Sequence, residues 1–143
     1  MSDPVIDFAE FFGSHHKKIM KACTKFLGPN FFEKCVLNQS TSGPDKLRYA
    51  INKPGGGPYS KICKEVYRVQ PDENIVIIDN KHNIRIKNVG EGSVFLVSSD
   101  GEIERVITSI TPKLYVVENR QMIYEKIENR GIEPTYLAMF RRL

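Results

Sequence analysis

Two periods divide the chain. In the first 37 residues apolar side chains recur at Val5, Phe8, Phe12, Ile19, Cys23 and Phe26, with Met20 and Leu27 beside them. Steps of three, four and seven put these positions on one face of a helix. Ser2 or Asp3 is placed to cap its start, and Pro4 suits the first turn. Gly13-Ser14 interrupts the run and Gly28-Pro29 ends it. A short second helix is expected from Asn30 to Leu37. From Lys61 onward the period becomes two. Strands are expected at Cys63–Val69, Asn74–Asp79, Asn83–Asn88, Ser93–Ser98, Glu102–Thr108, Lys113–Val117, Gln121–Glu128 and Thr135–Arg141. Asp100-Gly101 predicts a type I′ hairpin between two of them. Short strands with no helix between them predict a mainly β fold, an antiparallel sandwich, jelly roll or barrel.

Between the two periods lies turn chemistry. Ser40-Thr41-Ser42-Gly43-Pro44 and Pro54-Gly55-Gly56-Gly57-Pro58 are loop sequences. Residues 38–60 are therefore expected to link a helical region, 1–37, to a β domain, 61–143, with Lys46 to Asn52 able to form a short element. The glycine run lacks the Gly-Lys-Ser/Thr that a phosphate-binding loop needs.

Composition narrows the class. At 143 residues, 41% hydrophobic and 27% charged, the chain suits one globular domain rather than a disordered one. No apolar run approaches the roughly 20 residues of a membrane span. Met1-Ser2-Asp3-Pro4 has no basic or apolar leader character, so an intracellular place, nuclear or cytoplasmic, is expected. Three cysteines, Cys23, Cys35 and Cys63, fit neither a disulfide framework nor a zinc knuckle and are expected to be reduced. The net charge of +4 leans to the front: residues 1–60 hold 8 Lys/Arg against 5 Asp/Glu, and residues 61–143 hold 13 against 12. This permits an acidic partner without demanding one.

Two stretches carry a resemblance. Val89-Gly90-Glu91-Gly92-Ser93-Val94-Phe95-Leu96-Val97 resembles the first characteristic stretch of the cupins, a strand ending in a Glu-Gly turn. Glu128-Asn129-Arg130-Gly131-Ile132-Glu133-Pro134-Thr135-Tyr136-Leu137 resembles the second, an Asn-x-Gly-x-Glu-Pro turn leading into the last strand. The resemblance covers about residues 62–143 and implies a double-sheet jelly roll. Metal-binding cupins carry His-x-His, a Glu and a later His. Here those positions fall at Asp79, Lys81, Arg85 and near Glu125, and a lysine and an arginine repel a cation. No metal and no cofactor are expected. A metal-free cupin behind a non-cupin segment is similar to the dimerisation domain of the CENP-C/Mif2 centromere family, although the disordered region and nucleosome-binding motif of that family are missing.

Three functional expectations follow. The first is a non-enzymatic, homodimerising scaffold of a nuclear, chromatin or ribonucleoprotein assembly. Tyr115, Val117, Tyr136, Leu137 and Met139 are its expected interface. Phe8, Phe12, Phe26 and Phe31, from a segment holding six of the eight phenylalanines, must dock on the β domain or on a partner protein. The second is a ligand-binding or enzymatic cupin using the barrel interior, with Asp79, Arg85 and Glu125 as its polar groups. The third is nucleic-acid contact through Lys17, Lys18, Lys21 and Lys25, a row that equally describes a solvated helix face. His15, His16 and His82 form no triad or metal set with any nucleophile in motif.

Overall fold

The computed structural model describes residues 6–52, 61–76, 84–102, 104–110, 115–117 and 124–142. The chain begins with α1 (Phe8–Phe12), a 3₁₀ turn (Gly13–His15), α2 (His16–Leu27) and α3 (Phe31–Lys34). The cap of α1 is Asp7, not Ser2 or Asp3. Its carboxylate accepts from the amides of Ala9 and Glu10 at 3.1 and 3.2 Å, satisfying two donors that a first turn leaves open. Gly13 and Gly28 sit at φ +74° and +95°, where the sequence marked the interruption and the stop. Lys64 Nζ donates to the Leu27 carbonyl, closing the C-terminal end of α2.

Among the described residues ten strands follow: β1 (Val36–Asn38), β2 (Asp45–Asn52), β3 (Lys61–Val69), β4 (Asn74–Val76), β5 (Ile84–Asn88), β6 (Val94–Val97), β7 (Glu104–Ile107), β8 (Tyr115–Val117), β9 (Lys126–Glu128) and β10 (Thr135–Arg142). They form two antiparallel sheets, ordered β1-β2-β3-β10-β5-β8 and β4-β9-β6-β7. Each of the eight expected strands is present. The expected linker is a correction: β1 and β2 belong to the six-stranded sheet, and β2 pairs with β3 over eight residues, from Asp45 opposite Arg68 to Asn52 opposite Lys61. The second helix is cut to one turn because Cys35 is extended and β1 begins at Val36. The β6–β7 hairpin differs from the expected turn as well. Gly101 N–H bonds the Ser98 carbonyl at 3.1 Å. Only Gly101, not Asp100, takes a positive φ, +76°, so this is a turn closed by a left-handed glycine.

Two apolar layers result. Tyr67, Val69, Ile75, Ile86, Val94, Leu96, Ile107, Ile127, Leu137 and Met139 fill the space between the sheets. A second layer joins the helices to the outer face of the six-stranded sheet, with Phe11, Phe12, Ile19, Cys23, Leu27 and Phe31 against Leu47, Val66, Val89, Tyr136 and Ala138. β10 is apolar on both faces because both are covered. Tyr136 Oη donates to the Phe11 carbonyl at 2.8 Å, tying α1 to the sheet.

The two stretches that carry the resemblance are turns built on buried asparagines. Asn88 donates to the carbonyls of Gly92 and Ile107 at 2.8 and 3.1 Å and accepts from Gly90 N–H at 3.0 Å. Asn129 donates to Val69 and Glu133 at 2.8 Å each and accepts from Gly131 N–H at 2.9 Å. A Cβ on Gly90 would stand 2.8 Å from the Tyr136 amide nitrogen, so the close approach to β10 needs glycine.

Candidate interaction face and interior charge cluster

The helical segment docks within the chain. Phe12 and Phe31 are buried, and Phe8 and Phe26 are half-buried against the same layer. Docking leaves Lys17, Lys21 and Lys25 exposed on α2. Lys18 is held by Glu91 at 2.9 Å, linking the helix to the β5–β6 turn and drawing the Glu91 carboxyl below its ordinary range.

The expected dimer face is not a face. Tyr136, Leu137 and Met139 lie on the central strand β10 at 6%, 0% and 2% exposure. Leu137 and Met139 sit between the sheets, and Tyr136 sits under the helices. The side chains of Tyr115 and Val117 lie outside the described residues.

The expected interior polar set does not assemble. Asp79 and Lys81 lie outside the described residues. Arg85 is exposed. It alternates with the fully buried Ile86, so it points away from the sandwich interior, and its guanidinium lies 6.0 Å from the Phe140 ring centre. Glu125 is exposed too. Among the described residues no three His, Cys, Asp or Glu side chains gather as metal ligands. An outward-facing Arg85 does not fit a cation site at the position the resemblance assigns to a glutamate.

The outer face of the four-stranded sheet is the surface that sequence reasoning overlooked. Strand alternation turns Ile75, Leu96, Ile107 and Ile127 inward, and so puts Val76, Phe95, Val106, Glu104, Lys126 and Glu128 on the outside. Val76 and Val106 are about half exposed, at 53% and 49%. Arg130 crosses this face. Its guanidinium lies 4.5 Å from the Phe95 ring centre, pairs with Glu128 at 2.9 Å and bonds Glu104. Lys126 pairs with Glu128 at 2.8 Å. These hydrogen bonds hold the Glu104 and Glu128 carboxyls below their ordinary range and raise Lys126. Two cations and two carboxylates make the patch neutral, with alternating sign.

A second polar group lies inside. On the inner faces of β2 and β3, Lys46 is opposite Tyr67 and Arg48 is opposite Glu65. Glu65 is fully buried. Its carboxylate accepts from Cys63 Sγ at 3.0 Å and pairs with Lys46 Nζ at 3.2 Å. Arg48 Nε donates to Cys63 Sγ at 3.3 Å. Burial, then the Glu65 carboxylate, push the Cys63 thiol up. Lys46 also approaches the Tyr67 hydroxyl at 3.4 Å. A signal was present: in Cys63-Lys64-Glu65-Val66-Tyr67-Arg68-Val69, alternation puts Glu65 on the same face as Tyr67 and Val69, and a carboxylate there demands a partner. Lys46 opens onto a cleft of about 490 Å³ between the β1–β2 connection and β4.

With this geometry the fold is recognisable among solved structures. HutD from Pseudomonas fluorescens SBW25 matches at a TM-score of 0.55 and 12% identity, over 76% of this chain and 55% of that one. Ectoine synthase from P. lautus matches at 0.51 and 15%, over 73% and 67%. The fold is a cupin-like jelly roll. The cupin domain of Schizosaccharomyces pombe Cnp3 is similar at 0.49 and 13%, over 74% and 66%. The chain spans 60% and 28% of the lengths of two further matched proteins. No family model and no curated protein matches the sequence. Likeness at these identities is likeness of fold, and cupin-like folds carry both catalysts and non-catalysts. Among the described residues no helix is long and apolar enough to cross a membrane.

Proposed function

We propose that this chain is a non-enzymatic interaction module, a cupin-like scaffold that pairs with a second copy of itself through the outer face of its four-stranded sheet. One observation carries the reading. On the six-stranded sheet the chain's own helices cover β2, β3 and β10, whereas Val76 and Val106 stay exposed on the four-stranded sheet around an Arg130-capped Phe95. A two-fold axis through a neutral patch brings Arg130 of one copy to Glu104 or Glu128 of the other, the self-complementarity that an isologous dimer needs. The assembly it would serve is nuclear, of the chromatin or ribonucleoprotein kind implied by the resemblance to the CENP-C/Mif2 dimerisation domain, with a second protein recruited by the paired scaffold.

The test is sedimentation equilibrium of the full chain at micromolar concentrations. A dimer is expected, converted to monomer by Arg130→Glu and by Val106→Asp while the circular dichroism spectrum is kept. A monomer at every concentration overturns the reading, as does a dimer indifferent to both substitutions.

A further inference from the structure

We infer that the solvent face of α2 docks on the phosphate backbone of a nucleic-acid duplex, with Lys17, Lys21 and Lys25 as the contact row and Arg85 of β5 as its extension. The three lysines stand four residues apart on the side of α2 away from the buried Ile19, Cys23 and Leu27, and all three are exposed. From the first to the last the helix rises about 12 Å. Arg85 is exposed too. Two contacts fix how α2 lies over the sheet. Lys18 pairs with Glu91, beyond the end of β5, and the Leu27 carbonyl takes the Lys64 ammonium. Lys64 lies 5.8 Å from the Phe140 ring centre and Arg85 lies 6.0 Å from it. Arg85 therefore continues the row past the C-terminal end of α2.

Helix stability alone does not select this row. No Asp or Glu occurs between Glu10 and Glu33, so α2 has no pair of opposite charges four residues apart. Lys17 and Lys21, and Lys21 and Lys25, are like-charge neighbours at that spacing, which oppose helix formation. The first turn of α2 holds no acid. His16, Lys17 and Lys18 stand there instead, against the helix dipole. Lys18 has Glu91 as its partner. Among the described residues no carboxylate pairs with Lys17, Lys21, Lys25 or Arg85. Four cations thus face solvent on one side of the molecule without a counter-charge, the electrostatic footprint of a polyanion site.

The surroundings of the row choose among polyanions. A helix that lies on a membrane turns its apolar face to lipid, but the apolar face of α2 is buried on the six-stranded sheet. Among the described residues none of the exposed large apolar side chains, Val36, Val76, Val106, Ile110 and Ile132, is on α2. An acidic protein partner would need apolar or aromatic anchors of the same kind. A single strand needs exposed rings on which its bases stack, and Phe26, the only phenylalanine of α2, is half-buried in the apolar layer. A row of cations on a rigid element, with no anchor between them, fits the regular charge of a duplex backbone and reads no sequence. The row is on the other sheet from the proposed pairing face, so binding is read per chain whether or not copies pair.

The experiment is a fluorescence-anisotropy titration of a labelled DNA duplex of about 20 base pairs with the full chain, at salt from about 50 to 200 mM. Saturable binding is expected at the lowest salt. The slope of log K against log salt should be about −3 to −4, since each of four phosphate contacts contributes about −0.9. Lys21→Gln/Lys25→Gln should weaken binding at the lowest salt by about tenfold or more and bring the slope to about −2. In urea the same variant should be at least as stable as the wild type, because repulsion along α2 is relieved, so the loss of binding is not a loss of fold. Arg105→Gln removes one charge on β7, in the other sheet, and should change neither affinity nor slope. No saturable binding at the lowest salt overturns the inference, as does a slope that Lys21→Gln/Lys25→Gln leaves unchanged or an equal loss with Arg105→Gln. Tighter binding of a single strand of the same length, or binding of phosphatidylserine vesicles in place of the duplex, overturns it as well.

Discussion

The two sheets of this sandwich share one interior and treat their outer faces in opposite ways. The six-stranded sheet presents Leu47, Val66, Tyr136 and Ala138 outward and hides them under Phe11, Phe12, Ile19, Cys23, Leu27 and Phe31. The four-stranded sheet presents Glu104, Lys126 and Glu128 outward, with Arg130 folded across Phe95. The difference teaches where stability and where recognition reside. An apolar face covered within the chain is spent on folding. A polar face with apolar residues left among its ion pairs is available to a partner. Substitutions on the first face should therefore change stability, and substitutions on the second should change association.

The sharpest way to break that comparison is to empty the helical layer. Phe12 is 2% exposed and packs on Phe8, Phe11, Phe32 and Tyr136. Phe12→Ala is expected to cost about 3–5 kcal/mol, from lost burial and the cavity left behind. Urea unfolding followed by circular dichroism measures it. A cost under about 1 kcal/mol would mean that the site collapses freely and that the helices are a loose attachment.

The covered face should also be sensitive to alkali. Burial pushes the Cys23 thiol up from 9.0 to about 12. A folded-state value above the unfolded one gives stability that is complete below pH 9 and is lost as pH rises towards 12. Three pH units amount to about 4 kcal/mol at the upper end of that window. Cys35, Cys63 and Tyr136 are raised by burial as well and act with the same sign. Urea midpoints measured from pH 8 to 11 should fall for the wild type and fall less steeply for Cys23→Ala. Parallel slopes would remove Cys23 as the cause.

A smaller effect isolates the tie between helix and sheet. Tyr136→Phe keeps the ring in the layer and removes only the donor to the Phe11 carbonyl. Leaving that carbonyl without its donor should cost about 1–3 kcal/mol. Amide exchange reports where: protection should drop in α1 and stay in β10. Equal loss across the sheet would show that α1 and β10 open as one unit.

How much of this was legible follows from what each pattern reports. The eight strands from Lys61 onward were readable because a sheet imposes a period of two, and the docking helix because Ile19, Cys23 and Leu27 recur every four residues. Lys46 to Asn52 was readable as a short element, but its place in the sheet as β2 was not, because the Gly/Pro/Ser loops on either side outweighed the alternation of Leu47, Tyr49 and Ile51 and marked a linker. The interface assigned to Tyr136, Leu137 and Met139 failed for a physical reason. A strand apolar at consecutive positions is covered on both sides, so its richness marks the interior. The charge cluster was hidden by the converse: Lys46, Arg48 and Glu65 look like solvated residues until register sets them opposite one another. Arg130 stood inside a recognised turn, but its reach to Glu104, 26 residues away in sequence, is visible only once β6 lies between β7 and β9.

The smallest effect belongs to the open face alone. Hydrogen bonds from Arg130 and Lys126 hold the Glu104 and Glu128 carboxyls below their ordinary 4.5. Depressed carboxylates give stability that is present above pH 4.5 and is lost as pH falls through the folded-state values. These groups face water, so ions screen them and the loss should be slight beside that of Phe12→Ala. Arg130→Gln should flatten the acid limb of the urea midpoint between pH 5 and 3, and added salt should flatten it in the wild type. The same variant should abolish pairing of copies at neutral pH, where its stability is nearly that of the wild type. A variant that lost stability as Phe12→Ala does would place Arg130 with the covered face and erase the distinction between the two.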